Sequence, residues 1–134
     1  MSNILVVAAH PDDEVLGCGG TIVKHINQGD EVHVLILAEG ITSRDTKRDR
    51  SNSKKELSEL SIAAHKAHKI MGTSSLKMLD YADNRMDSVD FLDVIKAVEK
   101  EVNLSSNGLC TILIHTHIAS FSGNTLFLSY RLTG

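Results

Sequence analysis

Asn3-Ile4-Leu5-Val6-Val7-Ala8-Ala9-His10-Pro11-Asp12-Asp13-Glu14 decides how the chain is read, because an apolar strand runs straight into a turn crowded with ligating groups. Ile4 to Ala8 is an unbroken apolar run, the pattern of a strand covered on both faces and therefore central in its sheet. A strand-to-helix turn needs neither a histidine nor three consecutive acids. Carboxylates this close repel unless positive charge sits among them. A divalent metal is the simplest such charge, and imidazole with carboxylate suits zinc or a similar transition ion better than calcium or magnesium. Pro11 fixes its own φ and so stiffens the link between His10 and the acids. Helix capping is the competing reading: Asp12 or Asp13 serves as N-cap and Glu14 favours the helix dipole. That accounts for one or two acids and leaves His10 unexplained.

From this turn a helix is expected over residues 14–28, with Val15, Ile22, Val23 and Ile26 as its stripe and Gly29 as its stop. Gly17, Gly19 and Gly20 are read as close packing of helix on sheet, since the G-x-G-x-x-G spacing of a dinucleotide site is missing. Val32 to Ala38 is a second buried strand. The right-handed crossover between them brings Ala38-Glu39-Gly40 out on the same edge as His10. His33, inside that strand, is read as structural. In the polar loop from Gly40 to Asn52, Arg44 is the candidate for an anionic or hydroxyl-rich substrate group, against a solvated loop charge.

Ser53-x-x-Glu56 reads as a capping box opening a helix to about Met71, with Leu57, Leu60, Ala64, Ala67 and Ile70 as its buried face. His65 and His68 have no acidic partner in that motif and are read as surface residues. Leu76 to Leu79 is a third strand. Beyond it Asn84 and Arg85 reach the same sheet edge, where they can contact a sugar or pyrophosphate, although turn chemistry also explains Asn84. Asp87 or Ser88 caps a helix striped by Phe91, Leu92, Ile95, Val98 and Val102. Cys110 to Ile114 forms a fourth strand, and His115-Thr116-His117 lies at its carboxyl end, the edge where ligands gather in open α/β sheets. His10 and His117 can converge there. Alternating strands and helices give an α/β fold, a three-layer αβα sandwich on a mostly parallel, Rossmann-like sheet.

Composition narrows the function classes. A chain of 134 residues is expected to be one domain, and 42% hydrophobic with 23% charged residues favours neither disorder nor a fibrous class. A net charge of -3 leaves no basic footprint for nucleic acid. The apolar run after Met1-Ser2-Asn3 is too short to span a membrane and lacks a basic flank, so a cytoplasmic location is expected. Cys18 and Cys110 are expected to be free, buried thiols.

Ala9 to Glu14, followed by Leu16-Gly17-Cys18-Gly19-Gly20-Thr21, resembles the first signature of the PIG-L / LmbE-like family of zinc-dependent de-N-acetylases. Glu39-Gly40-Ile41-Thr42-Ser43-Arg44 and Leu79 to Asp87 resemble further family segments. The resemblance implies that His10 and Asp13 bind Zn2+, that Asp12 is the general base, and that the reaction removes an N-acetyl group from an N-acetylglucosamine-type conjugate. The partner is then a small-molecule amino-sugar conjugate; a homo-oligomer stays open.

The likeness ends abruptly. Family members continue with a second signature resembling His-Pro-Ser-Asp-Leu-Asn-x-Asp-His, whose last histidine is the third metal ligand. Here that position falls on Leu126, and the family's catalytic acid is expected in the same lost segment. His117 is the remaining candidate for a third ligand. Residues 1–117 therefore read as the N-terminal portion of a single deacetylase domain and 118–134 as a divergent tail, the C-terminal part of the fold missing through a frame slip or truncation. Two other classes compete: a non-catalytic relic with weak or no metal binding, and a nucleotide-binding module, which the acidic first turn disfavours.

Overall fold

Strands built from Val, Ile and Leu without polar interruption have to be covered twice, and the layers follow from that. In the computed structural model, which describes residues 1–40, 54–81, 90–105, 109–115 and 128–133, the first two strands are β1 (Asn3–Ala8) and β2 (Glu31–Ala38). The remaining strands are β3 (Ser75–Tyr81), β4 (Leu109–His115) and β5 (Leu128–Thr133). Between them run α1 (Asp13–Asn27), α2 (Lys54–Met71) and α3 (Phe91–Ser105). The sheet order is β3-β2-β1-β4-β5. β1 pairs in parallel with both β2 and β4, and β2 with β3, while β5 runs antiparallel along β4. The sheet is thus mostly parallel, with an antiparallel edge supplied from within the expected tail.

Side chains alternate across β1 and β2. Ile4, Val6, Ala8, Val32, Val34 and Ile36 face Cys18, Ile22 and Ile26 of α1 and Met71 of α2. Leu5, Val7, Leu35 and Leu37 face Val94, Val98 and Val102 of α3 on the other side. Leu5, Ile22, Leu35 and Ile36 are fully buried, each worth about 1.5–3 kcal/mol relative to exposure. Lys77 of β3 pairs with Glu101 and ties α3 to the sheet edge.

Because α1 and α2 cover one face and α3 the other, the chain switches faces between β1 and β4. In such sheets the usual ligand position lies outside the carboxyl ends of the strands at that switch. The register sets Ala8 beside His115, so both strands end level.

Several helix details differ from the sequence reading. The buried stripe of α1 is Glu14, Cys18 and Ile22, and Val15 and Val23 are exposed. On α2, Ala64 and His68 are buried and Ile70 is 86% exposed. Ile70 stands some 120° around the helix from Ala64, well off the covered face. Asp90 caps α3, its Oδ1 accepting the Leu92 N–H at 2.9 Å; Asp87 and Ser88 lie outside the described residues, and Leu92 is exposed. A Cβ at Gly20 would meet nothing within 4 Å, and one at Gly19 only Val15 Cγ1 at 3.8 Å, so these two glycines do not serve close packing on the sheet.

Candidate active site at the carboxyl edge of the sheet

The turn after β1 is fastened to its neighbour by backbone. Ala38 donates its N–H to the Ala9 carbonyl at 2.8 Å, and Glu39 donates to the Tyr81 carbonyl at 3.1 Å, so the ends of β1, β2 and β3 form one ledge. Gly40 leaves β2 at φ +80, where a Cβ would stand 2.9 Å from Pro11 Cδ. Only glycine lets the chain press this closely on the proline.

Within the turn, the Asp13 carboxylate folds back on His10. Its Oδ2 accepts the His10 backbone N–H at 3.1 Å and lies 3.3 Å from the ring Nδ1. Asp12 adopts φ 102, the one positive φ at a non-glycine residue among those described. This conformation costs about 1–3 kcal/mol and persists only where surrounding contacts enforce it. Asp12 takes the N-cap position of α1, yet its side chain makes no capping bond. Glu14 instead reaches back to the cap, its Oε2 accepting the Asp12 N–H at 3.0 Å. Asp12 is exposed while His10 and Asp13 are half-buried. Burial first, then the charges of Asp13 and Glu14, push the Asp12 carboxyl above its ordinary range, with His10 pulling the other way.

Glu14 is 1% and His68 2% exposed. His68 Nε2 lies 3.0 Å from Glu14 Oε1, and its Nδ1 lies 3.2 Å from Thr73 Oγ1. The reading of His68 as a surface residue is therefore wrong: the acid it lacks on its own helix comes from α1. His65 is exposed, as expected, and contacts the Ser61 carbonyl at 2.8 Å. His33 is half-buried against Ser75 Oγ at 2.8 Å, in keeping with a structural role.

Of the residues singled out in the sequence, His10, Asp12 and Asp13 come together at one turn. Arg44, Asn84, Arg85 and His117 lie outside the described residues. Among the described residues no group of three or more His, Cys, Asp or Glu side chains is placed to hold a metal ion.

Comparison with known proteins narrows what such a turn belongs to. The chain is 33% identical over 107 residues to the probable N-acetyl-alpha-D-glucosaminyl L-malate deacetylase 2 of Bacillus cereus, a match covering 77% of this chain and 49% of that protein. A shorter stretch of 37 residues is 51% identical to the 1D-myo-inositol 2-acetamido-2-deoxy-alpha-D-glucopyranoside deacetylase of Rhodococcus opacus, covering 28% of this chain and 13% of that one. Among solved structures, GalB, the 4-carboxy-2-hydroxymuconate hydratase of Pseudomonas putida, superposes with a TM-score of 0.60 at 28% identity, covering 78% of this chain and 44% of that one. The chain thus spans about half the length of its Bacillus relative. Residues 5–118 match the model of PIG-L, GlcNAc-PI de-N-acetylase, and with the ledge and turn described above the chain belongs to the PIG-L family.

Proposed function

We propose that this chain carries the first half of a metal-dependent de-N-acetylase site and acts on a small N-acetylglucosamine-type conjugate. The observation that carries the reading is the His10–Asp13 pair. Two ligands bound to one zinc at about 2.0–2.2 Å in tetrahedral geometry stand about 3.3–3.6 Å apart, and His10 Nδ1 and Asp13 Oδ2 are 3.3 Å apart. Imidazole and carboxylate are the ligand types such an ion takes. His117 is the proposed third ligand: it follows β4 by the same two residues as His10 follows β1, from strand ends that are level. Arg44, Asn84 and Arg85 are proposed to contact the sugar conjugate, being placed in sequence just beyond the ends of β2 and β3.

When bound, the metal would polarise the acetyl carbonyl and lower the pKa of a coordinated water. Asp12, exposed beside the His10–Asp13 pair, takes the proton of the attacking water. Water and amide give acetate and a free amine. The names of the Bacillus and Rhodococcus relatives support an amino-sugar substrate.

The likeness to a hydratase favours a second reading, addition of water to an unsaturated acid at the same turn. Purified protein supplied with Zn2+ and an N-acetylglucosaminyl conjugate is expected to release acetate and free amine in equal amounts. Absence of both, with loss of ultraviolet absorbance from a conjugated unsaturated acid instead, would decide for hydration.

A further inference from the structure

We infer that His68 is a positioning residue: through Glu14 it holds the Asp12 peptide in its left-handed conformation and so fixes where the exposed Asp12 carboxyl stands beside the His10–Asp13 pair. The inference rests on the site reading above. A carboxylate with 1% exposure has to be hydrogen-bonded, and Glu14 divides its two oxygens between two tasks. Oε2 accepts the Asp12 N–H, and Oε1 faces His68 Nε2, each at 3.0 Å. The imidazole is in turn held at Nδ1 by Thr73 Oγ1 at 3.2 Å.

That anchor is firm because the end of α2 is closed on itself. Gly72 and Thr73 both donate backbone N–H groups to the His68 carbonyl, at 2.9 and 3.2 Å. On the other side of the strained residue, Val15 and Leu16 donate to the Asp12 carbonyl at 3.0 and 2.9 Å. The Asp12 residue is thus gripped at its carbonyl by α1 and at its N–H by a relay that begins in α2, 54 residues from Glu14 in sequence. Removing the relay releases the N–H, and φ 102 is then held only by the turn bond from the Asp13 N–H to the His10 carbonyl at 3.3 Å and by the contacts of the Asp12 carbonyl. The relay touches no reacting atom; it orients the residue that does, as partners behind metal ligands do elsewhere.

The test compares H68Q, whose side-chain amide can donate from near the Nε2 position, with H68L, which cannot. Two quantities are measured on the full chain: hydrogen exchange of the Asp12 amide relative to the Val6 amide in β1, and affinity for Zn2+ alone. H68Q is expected to stay within about threefold of wild type in both. H68L is expected to speed Asp12 exchange at least tenfold relative to Val6 while leaving Zn2+ affinity within about threefold, because Asp12 is not among the proposed ligands. If H68L does not fold, T73V, which frees the imidazole without stranding Glu14, should also speed Asp12 exchange relative to Val6 with Zn2+ affinity unchanged. Unchanged relative exchange at Asp12 in the folded variant, with lowered global stability alone, would overturn the inference and leave His68 merely structural. Failure of the wild type to bind Zn2+ would sink the site reading, while Asp12 exchange would still decide the role of His68.

Discussion

Asp12 and Asp13 are adjacent and chemically identical, yet the backbone assigns them different surroundings, and substitution should separate them. Asp13 is half-buried and bonded to His10, whereas Asp12 is exposed at a strained φ. Asp13→Asn is expected to lose zinc and acetate release together. Asp12→Asn should keep the zinc and lose about 10²–10⁴-fold in turnover, the usual contribution of a general base. Zinc content and acetate release measured side by side decide it, and if Asp12→Asn is the variant that strips the metal, the two roles are reversed. Gly40 offers a second test at this scale. Gly40→Ala places a Cβ 2.9 Å from Pro11 Cδ at φ +80, so it should destabilise by at least about 1 kcal/mol in urea. His10, Asp12 and Asp13 were legible because folding gives no reason for those residue types in that turn. The buried pairing of Glu14 was missed because a first-turn acid already has a sufficient explanation in the helix dipole. His68 escaped because its partner lies on another helix, although its place about 40° from Ala64 on the α2 wheel marked it as facing inward.

Among the elements, β1, β2 and β4 were readable from apolar, β-favouring runs that His33 and Thr111 interrupt only singly, but the helix faces were less so. Val15 and Val23 suggested a stripe that α1 does not bury, because Glu14, given a hydrogen-bonded partner, occupies that face with Cys18 and Ile22. β5 has the period-2 alternation of an antiparallel edge strand, Leu128, Tyr130 and Leu132 between Ser129, Arg131 and Thr133. Viewing residues 118–134 only as the remnant of a missing motif hides that pattern. At the opposite sheet edge, the turn after α1 makes its own pH prediction. The Asp30 carboxylate lies 2.8 Å from His25 Nδ1 and accepts the Ser2 N–H at 2.7 Å. The His25 bond first, and the Ser2 bond second, hold the Asp30 carboxyl below its ordinary range. A carboxyl lowered by folding adds stability that is complete above its unfolded pKa and is lost as pH falls through its folded value. Asp30→Asn should therefore unfold at lower denaturant than wild type at pH 7, and the gap should close below about pH 4. A gap that stays constant to pH 2 would mean that the bonds to His25 and Ser2 do not favour the ionised form.

At the scale of the whole molecule, the switch of faces lies between β1 and β4, whose ends are level. The proposed site would draw ligands from beyond both strands, so metal binding should report whether both are in place. The sequence sets Leu126 where the family's last ligand is expected, and His10, Asp13 and His117 are the ligands the reading retains. An ion held by fewer or poorer protein ligands keeps more water and leaves more readily. Zn2+ is therefore expected to raise the melting temperature with a concentration dependence following RT ln(1 + [Zn2+]/Kd), about 2.7 kcal/mol at a hundredfold excess over Kd. A chelator should reverse the shift within minutes. His117→Ala should abolish the shift while leaving the melting temperature without metal near that of the wild type, because His117 lies two residues past the end of β4. Zinc retained at one equivalent through prolonged chelation would show a closed site with more ligands than these, and a full shift in His117→Ala would remove His117 from the set.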